Sequence, residues 1–207
     1  MFDIDYKKVY LSALRQFCYF AGIFAFVFCI HYLADRFKAE TFAEFGVVEN
    51  MQLGLLVISG FIFTIQAIAY KDYRELLFLL ASVCFLASCR ELDSWFDKRI
   101  PLISWRVGFV FPFVALLLAF INRKNIMKQL IPFLGSPAFY MMVSVLILVL
   151  PIAQCIGHRS FVEDILGANN VREIKEFIEE TVECLGYMLL LFSTFEIYCN
   201  LLKHQHS

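Results

Sequence analysis

Apolar residues in this chain run in six stretches of about 20, at about 14–34, 50–70, 75–96, 102–121, 136–156 and 182–202, separated by short polar segments. A helix rises 1.5 Å per residue, so each stretch is long enough to cross roughly 30 Å of hydrocarbon. Six helices apolar on all sides would leave a soluble fold no amphipathic element to cover them. The pattern therefore predicts an all-α, polytopic membrane helix bundle: one integral-membrane domain over 1–207, with six transmembrane helices joined by short loops.

Two segments between the spans read as more than connectors. Residues 37–48 interleave Phe37, Phe42 and Phe45 with charge, as a short helix lying in the membrane interface would. Residues 171–183 place Val171, Ile174, Ile178 and Val182 near helical spacing, with Asn170 as an N-cap. They predict an interfacial amphipathic helix before the last span, running into it.

Polar side chains break the apolar pattern near one end of five of the six stretches, and it is the same end each time. In chain order this boundary layer contains Glu49, Asn50 and Gln52; Arg90, Glu91 and Asp93; Arg106; His158; and Glu179, Glu180 and Glu183. An ionisable group within a spanning helix costs roughly 2.5–3.5 kcal/mol on insertion scales, so several at one depth mark a candidate site. Residues three, four and seven apart share a helix face. Glu49, Gln52, Ser59 and Gln66 thus form one stripe on the second span, for which interhelical hydrogen bonding is the expected role of Ser59 and Gln66. Arg90 and Asp93 share a face of the third span and could form an intrahelical ion pair; the alternative is that the polar ends of spans two, three, four and six converge, which brings Arg90 or Arg106 within hydrogen-bonding reach of Glu49, Glu180 or Glu183. Pro112 should kink the fourth span, and Glu196 near the end of the last span is expected to snorkel outward or meet Lys203.

Composition agrees with the membrane reading: 60% of the 207 residues are hydrophobic and 17% aromatic, with a mean hydropathy of +0.70. Lys7, Lys8 and Arg15 precede the first span in the manner of a signal peptide. Its apolar run from Phe17 to Leu33 exceeds the 7–15 residues of a signal h-region, so it reads as a retained helix. Nine of the 18 basic residues fall on the side of the termini and nine at or beyond the opposite boundary, the former on shorter loops. That bias is small, but it predicts both termini in the cytoplasm of a bacterial inner (plasma) membrane. Fourteen of the 19 acidic residues lie at or beyond the non-terminal boundary. Seven cysteines are mostly within spans and show no CxxC spacing, so they read as buried thiols.

The chemistry this set permits is broad. Carboxylates outnumber arginines in the layer, and oxygen-only ligation suits Mg²⁺, Ca²⁺ or Mn²⁺. Glu180, Glu183 and Glu49 are the candidate ligands; protons shared among the carboxylates are the rival. Arginines alongside could hold a phosphate or carboxylate head group. HExxH, GxSxG and GxxxxGK[ST] are all absent, and no second histidine stands near His158. Three functions fit: an accessory, assembly or immunity-type membrane protein that uses the layer for folding and partner binding; a small enzyme acting on a lipid head group with a divalent cation; and a transporter or ion-conducting protein. Membrane lipids and another membrane protein are the expected partners, not nucleic acid.

Overall fold

The computed structural model describes residues 6–37, 46–99, 104–156 and 171–205. Among these, all regular structure is helical. Helix α1 spans Tyr6–Phe37 and α2 Val47–Ala69; a 3-10 turn, Lys71–Tyr73, leads into α3, Arg74–Glu91, and a short α4, Asp93–Arg99. A second 3-10 turn, Trp105–Phe109, opens α5, Val110–Ile121, followed by α6, Arg123–Leu134. Helix α7, Pro137–Ile147, continues through a π-turn, Leu148–Ile152, into α8, Ala153–Ile156, and α9 is a single 35-residue helix, Val171–Gln205.

Four helical segments are each long and apolar enough to cross a membrane: Val9–Arg36, Val47–Ala69, Pro137–Ile156 and Ile174–Leu202. A fifth results if Trp105–Ile121 and Arg123–Leu134, bent by 105° at Asn122, form one broken span. The chain is accordingly an integral membrane protein by the length and composition of its helices.

The departures from the six-stretch pattern have local causes. The stretch 75–96 does not make one helix, because α3 ends at Glu91 and restarts as α4 after Leu92. Between its terminal charges, Arg74 and Glu75 at one end and Arg90 and Glu91 at the other, α3 offers only Leu76–Cys89 as apolar length, about 21 Å at 1.5 Å per residue. The segment 122–135, expected as a loop, is instead the amphipathic helix α6. Ahead of Pro112 the backbone changes from 3-10 to α at Phe109–Val110, where the proline's missing N–H leaves the Gly108 carbonyl without its i+4 donor. Pro151 lies inside the π-turn of the fifth stretch, a common cause of such local widening. The predicted amphipathic segment 171–183 and the last span are continuous. The segment 37–48 falls mostly outside the described residues, as do Asn170 and His158.

Helices α2, α3 and α9 form the centre of the bundle, with α2 packed on both α3 and α9. Helix α5 covers the outer side of α3, α7 packs against α9, and α1 lies chiefly on α9. Lipid tails are as apolar as leucine, so close backbone approach rather than the hydrophobic effect holds such helices together. Gly186 of α9 shows this: a Cβ there would sit 2.5 Å from Cγ2 of Val149 in the π-turn. The α2–α3 contact is similarly tight at Gly60, where a Cβ would come within 3.0 Å of Phe85. All seven cysteines are free thiols, with Cys84 and Cys184 buried.

Candidate functional site

Helix α9 is already helical at Val171, so Glu179, Glu180 and Glu183 lie two or more turns inside it. The positive end of a helix dipole acts only over the first turn, and these carboxylates therefore depend on side chains from neighbouring helices. Their spacing sets which neighbours they reach. Glu179 and Glu183 are one turn apart and share the face toward α8 and α3, while Glu180 turns toward α2.

Arg90, in the last turn of α3, is the hub. Its Nη2 donates to Glu91 Oε1 at 2.9 Å, to Glu183 Oε2 at 3.1 Å and Oε1 at 3.2 Å, and to the Tyr187 hydroxyl at 3.3 Å. The Tyr187 hydroxyl in turn donates to Glu91 Oε1 at 2.8 Å. Gln154 of α8 donates to Glu179 Oε1 at 3.1 Å and Glu183 Oε1 at 3.4 Å, and Lys175 pairs with Glu179 one turn along α9 at 3.4 Å. From α2, the fully buried Gln52 donates to Glu180 Oε2 at 2.8 Å and to the Glu180 carbonyl at 2.9 Å. One polar layer thus ties α2, α3, α8 and α9 at a common depth.

The structure does not gather every residue of the predicted set. Asp93 is exposed on α4, beyond the helix break, and Arg90 takes Glu91 and Glu183 as its ion-pair partners in place of Asp93. Asn50 is exposed and donates through Nδ2 to the Gly46 carbonyl at 2.8 Å, closing the start of its own helix. Arg106 is exposed on the 3-10 turn and makes no ion pair or hydrogen bond among the described residues. Glu49 is half-buried and, with Glu91 and Glu183, lies within electrostatic range of Glu180. The proposed metal ligands Glu49, Glu180 and Glu183 do not converge as a ligand set: among the described residues no three His, Cys, Asp or Glu side chains are placed to hold a metal ion. Gln52 and Arg90 pull Glu180 and Glu183 to different neighbours.

A second polar layer lies about 20 Å away along the helices, the rise of the 13 to 15 residues that separate the layers on α2, α3 and α9. Glu196, with no exposed surface, receives Arg15 Nε at 2.6 Å and Nη2 at 2.8 Å, and the Tyr19 hydroxyl at 3.3 Å. Its described partners are on α1, and a fully buried carboxylate cannot snorkel out; the bidentate guanidinium offsets its desolvation, while the Lys203 side chain lies outside the described residues. Gln66 donates to the Thr194 carbonyl at 3.0 Å, as its place on the polar stripe predicts. Ser59 is fully buried on that stripe, yet its Oγ has no protein partner among the described residues.

The same layer contains a pair that sequence reasoning missed. Gln129 of α6 accepts from the Leu76 backbone N–H at 2.9 Å and donates to Glu75 Oε2 at 2.6 Å, all three residues being buried. Leu76 is in the first turn of α3, whose N–H groups have no intrahelical acceptor. Tyr73 provides no side-chain cap there. Gln129 therefore caps α3 from another helix. The amphipathic pattern of 123–134 was the available signal for α6, but nothing in it pairs Gln129 with Glu75.

Chemically, the boundary layer is a hydrogen-bonded ion network with five carboxylates (Glu49, Glu91, Glu179, Glu180 and Glu183) around Arg90 and Lys175. It can fix helix register, hold a basic or zwitterionic group, and receive or release protons. No protein-family model matches the sequence, and neither a curated protein nor a solved structure shows significant similarity to it.

Proposed function

We propose that the chain is a six-span protein of the bacterial inner membrane, with both termini cytoplasmic, that serves as an accessory, assembly or immunity-type component. In this reading α1, α2, α3, α5, α7–α8 and α9 cross the bilayer, with α6 in the cytoplasmic interface. The boundary layer then faces the extracytoplasmic side, where it locks the bundle and supports partner binding. The observation that carries this is the closure of the network. Glu91, Glu179, Glu180 and Glu183 are each held by at least one side chain from another helix. Breaking such a pair leaves an unpaired buried charge, so the layer is suited to holding helices in register.

Two surfaces are suited to a protein partner in the membrane. Trp95 of α4 and Arg106 of the 3-10 turn before α5 are exposed, Arg106 without an ion pair or hydrogen bond among the described residues, and aromatic and arginine side chains dominate interface energetics. Helix α1 packs mainly on α9 and presents Phe17, Phe20, Phe24 and Phe28 outward.

Reporter fusions after residues 40, 73, 126, 165 and 207 test the topology. Alternation of outside and inside, ending inside, supports six spans; a cytoplasmic signal at 165 overturns the orientation. Substitution tests the role. Arg90→Ala and Glu183→Gln should lower the melting temperature in detergent and destroy a discrete protein adduct formed by a photo-cross-linker at position 106 in intact membranes. Variants that retain full stability while losing a catalytic turnover would replace this reading with the lipid-enzyme one.

A further inference from the structure

Between α3 and α7, next to the boundary layer, is an apolar cavity of about 430 Å³, within the roughly 300–1,000 Å³ of small-molecule sites. Leu56 of α2 and Leu190 of α9 form its floor, and Val83, Ala87, Val145 and Leu146 its walls. Val83 and Leu146 are about half exposed, so the cavity opens sideways, toward where lipid tails lie in a membrane. At the polar end its lining changes to Arg90, Tyr187 and Trp105. This is the profile of an amphiphile: a chain-shaped apolar space that ends at hydrogen-bonding groups at the depth of a head group.

We propose that this cavity binds one acyl chain of a membrane phospholipid with a primary-amine head group. Three observations select that class. Arg90 makes all its protein contacts through Nη2, which leaves Nη1 and Nε without hydrogen-bond partners among the described residues. Nη1 and Nε point to opposite sides of Cδ, so each offers a separate, charge-assisted hydrogen bond, and either one can donate to a phosphodiester oxygen. Around that arginine stand Glu49, Glu91, Glu179, Glu180 and Glu183 against the cations Arg90 and Lys175, so even with a proton on each of Glu180 and Glu183 three carboxylates face two cations and the layer keeps an excess of negative charge. Such a field repels a purely anionic head and attracts an ammonium. Trp105 at the cavity rim has the amphipathic ring that settles at head-group level. The site is independent of whether the layer also binds a partner protein.

The test is native mass spectrometry of the full chain in nanodiscs holding equal amounts of phosphatidylethanolamine and phosphatidylglycerol. One phosphatidylethanolamine per chain should be retained in about tenfold excess over phosphatidylglycerol, the ratio given by about 1.4 kcal/mol of selectivity. Ala87→Phe, which fills the cavity, should reduce retention by a similar factor while the protein remains helical and monomeric. No retained lipid, equal retention of the two lipids, or unchanged retention in Ala87→Phe would overturn the proposal. In case Ala87→Phe does not fold, phosphatidylethanolamine with a diazirine in its acyl chain decides on the wild-type protein. Cross-links on α3 and α7 support the site, and cross-links confined to other helices overturn it. A second copy of this chain seated in the gap would appear as a dimer without lipid, which also counts against the proposal.

Discussion

Arg15 and Glu196 join α1 to α9 across 181 positions of sequence, through two hydrogen bonds of 2.6 and 2.8 Å. The carboxylate has no exposed surface, whereas the arginine side chain keeps 20% of its own. With the Tyr19 hydroxyl, which reaches the same carboxylate, this pair anchors α1 on α9. Arg15→Ala should destabilise the protein by about 3–5 kcal/mol, since it leaves a buried carboxylate unpaired. The double variant Arg15→Met with Glu196→Leu should be markedly more stable than Arg15→Ala alone, as removal of both charges ends the desolvation penalty. Melting temperatures in one detergent compare the two; strictly additive losses would contradict the pairing.

Arg90→Ala should be far more damaging than Lys98→Ala. The arginine has ion pairs at 2.9 and 3.1 Å to two carboxylates that are mostly buried, so its loss is expected to cost about 3–5 kcal/mol. Lys98 is exposed on α4, and changes at such positions usually stay within about 0.5 kcal/mol. Arg90→Lys should recover only part of that loss, because the contacts are all made by one terminal nitrogen and the shorter lysine ends before the position of Nη2. Equal melting temperatures for Arg90→Ala and Lys98→Ala would refute this ranking.

Gln129→Leu should weaken the end of the bundle opposite the boundary layer. It removes an acceptor from the Leu76 N–H and a donor from Glu75, both in the first turn of α3. An orphaned buried group costs about 1–3 kcal/mol. Hydrogen exchange should show the first turn of α3 losing protection while its last turn, held by Arg90, keeps it. Uniform loss along α3 would mean that Gln129 does not act as a local cap.

Gly186→Ala should destabilise through contact alone. Its new Cβ would meet Val149 Cγ2 at 2.5 Å, and overpacking of this kind costs about 1–3 kcal/mol. Gly186→Ala with Val149→Ala should recover part of that loss. Gly54→Ala is the control, because no atom lies within 4 Å of a Cβ there. A melting temperature for Gly186→Ala equal to that of Gly54→Ala would argue against close α7–α9 packing.

The membrane character of this chain was determined by sequence alone. Run length and hydropathy act locally, since each helix must satisfy its own backbone in lipid whatever its neighbours do. The same logic located the boundary layer, because depth along a helix is read directly from residue number, as for Arg90, Glu180 and Glu183. Which polar groups meet is different: it depends on helix rotation, crossing and breaks, and those are set by contacts among distant residues. Asp93 lost its expected place beside Arg90 because α3 ends one residue before Leu92. Glu196 found Arg15, and Gln129 found Glu75, because α1 lies on α9 and α6 folds back after a 105° bend. The cavity was equally invisible, since its walls come from four helices whose separate patterns are each simply apolar. Local free energies fixed what each segment is; only the packing of segments against one another decided what each charged side chain would touch.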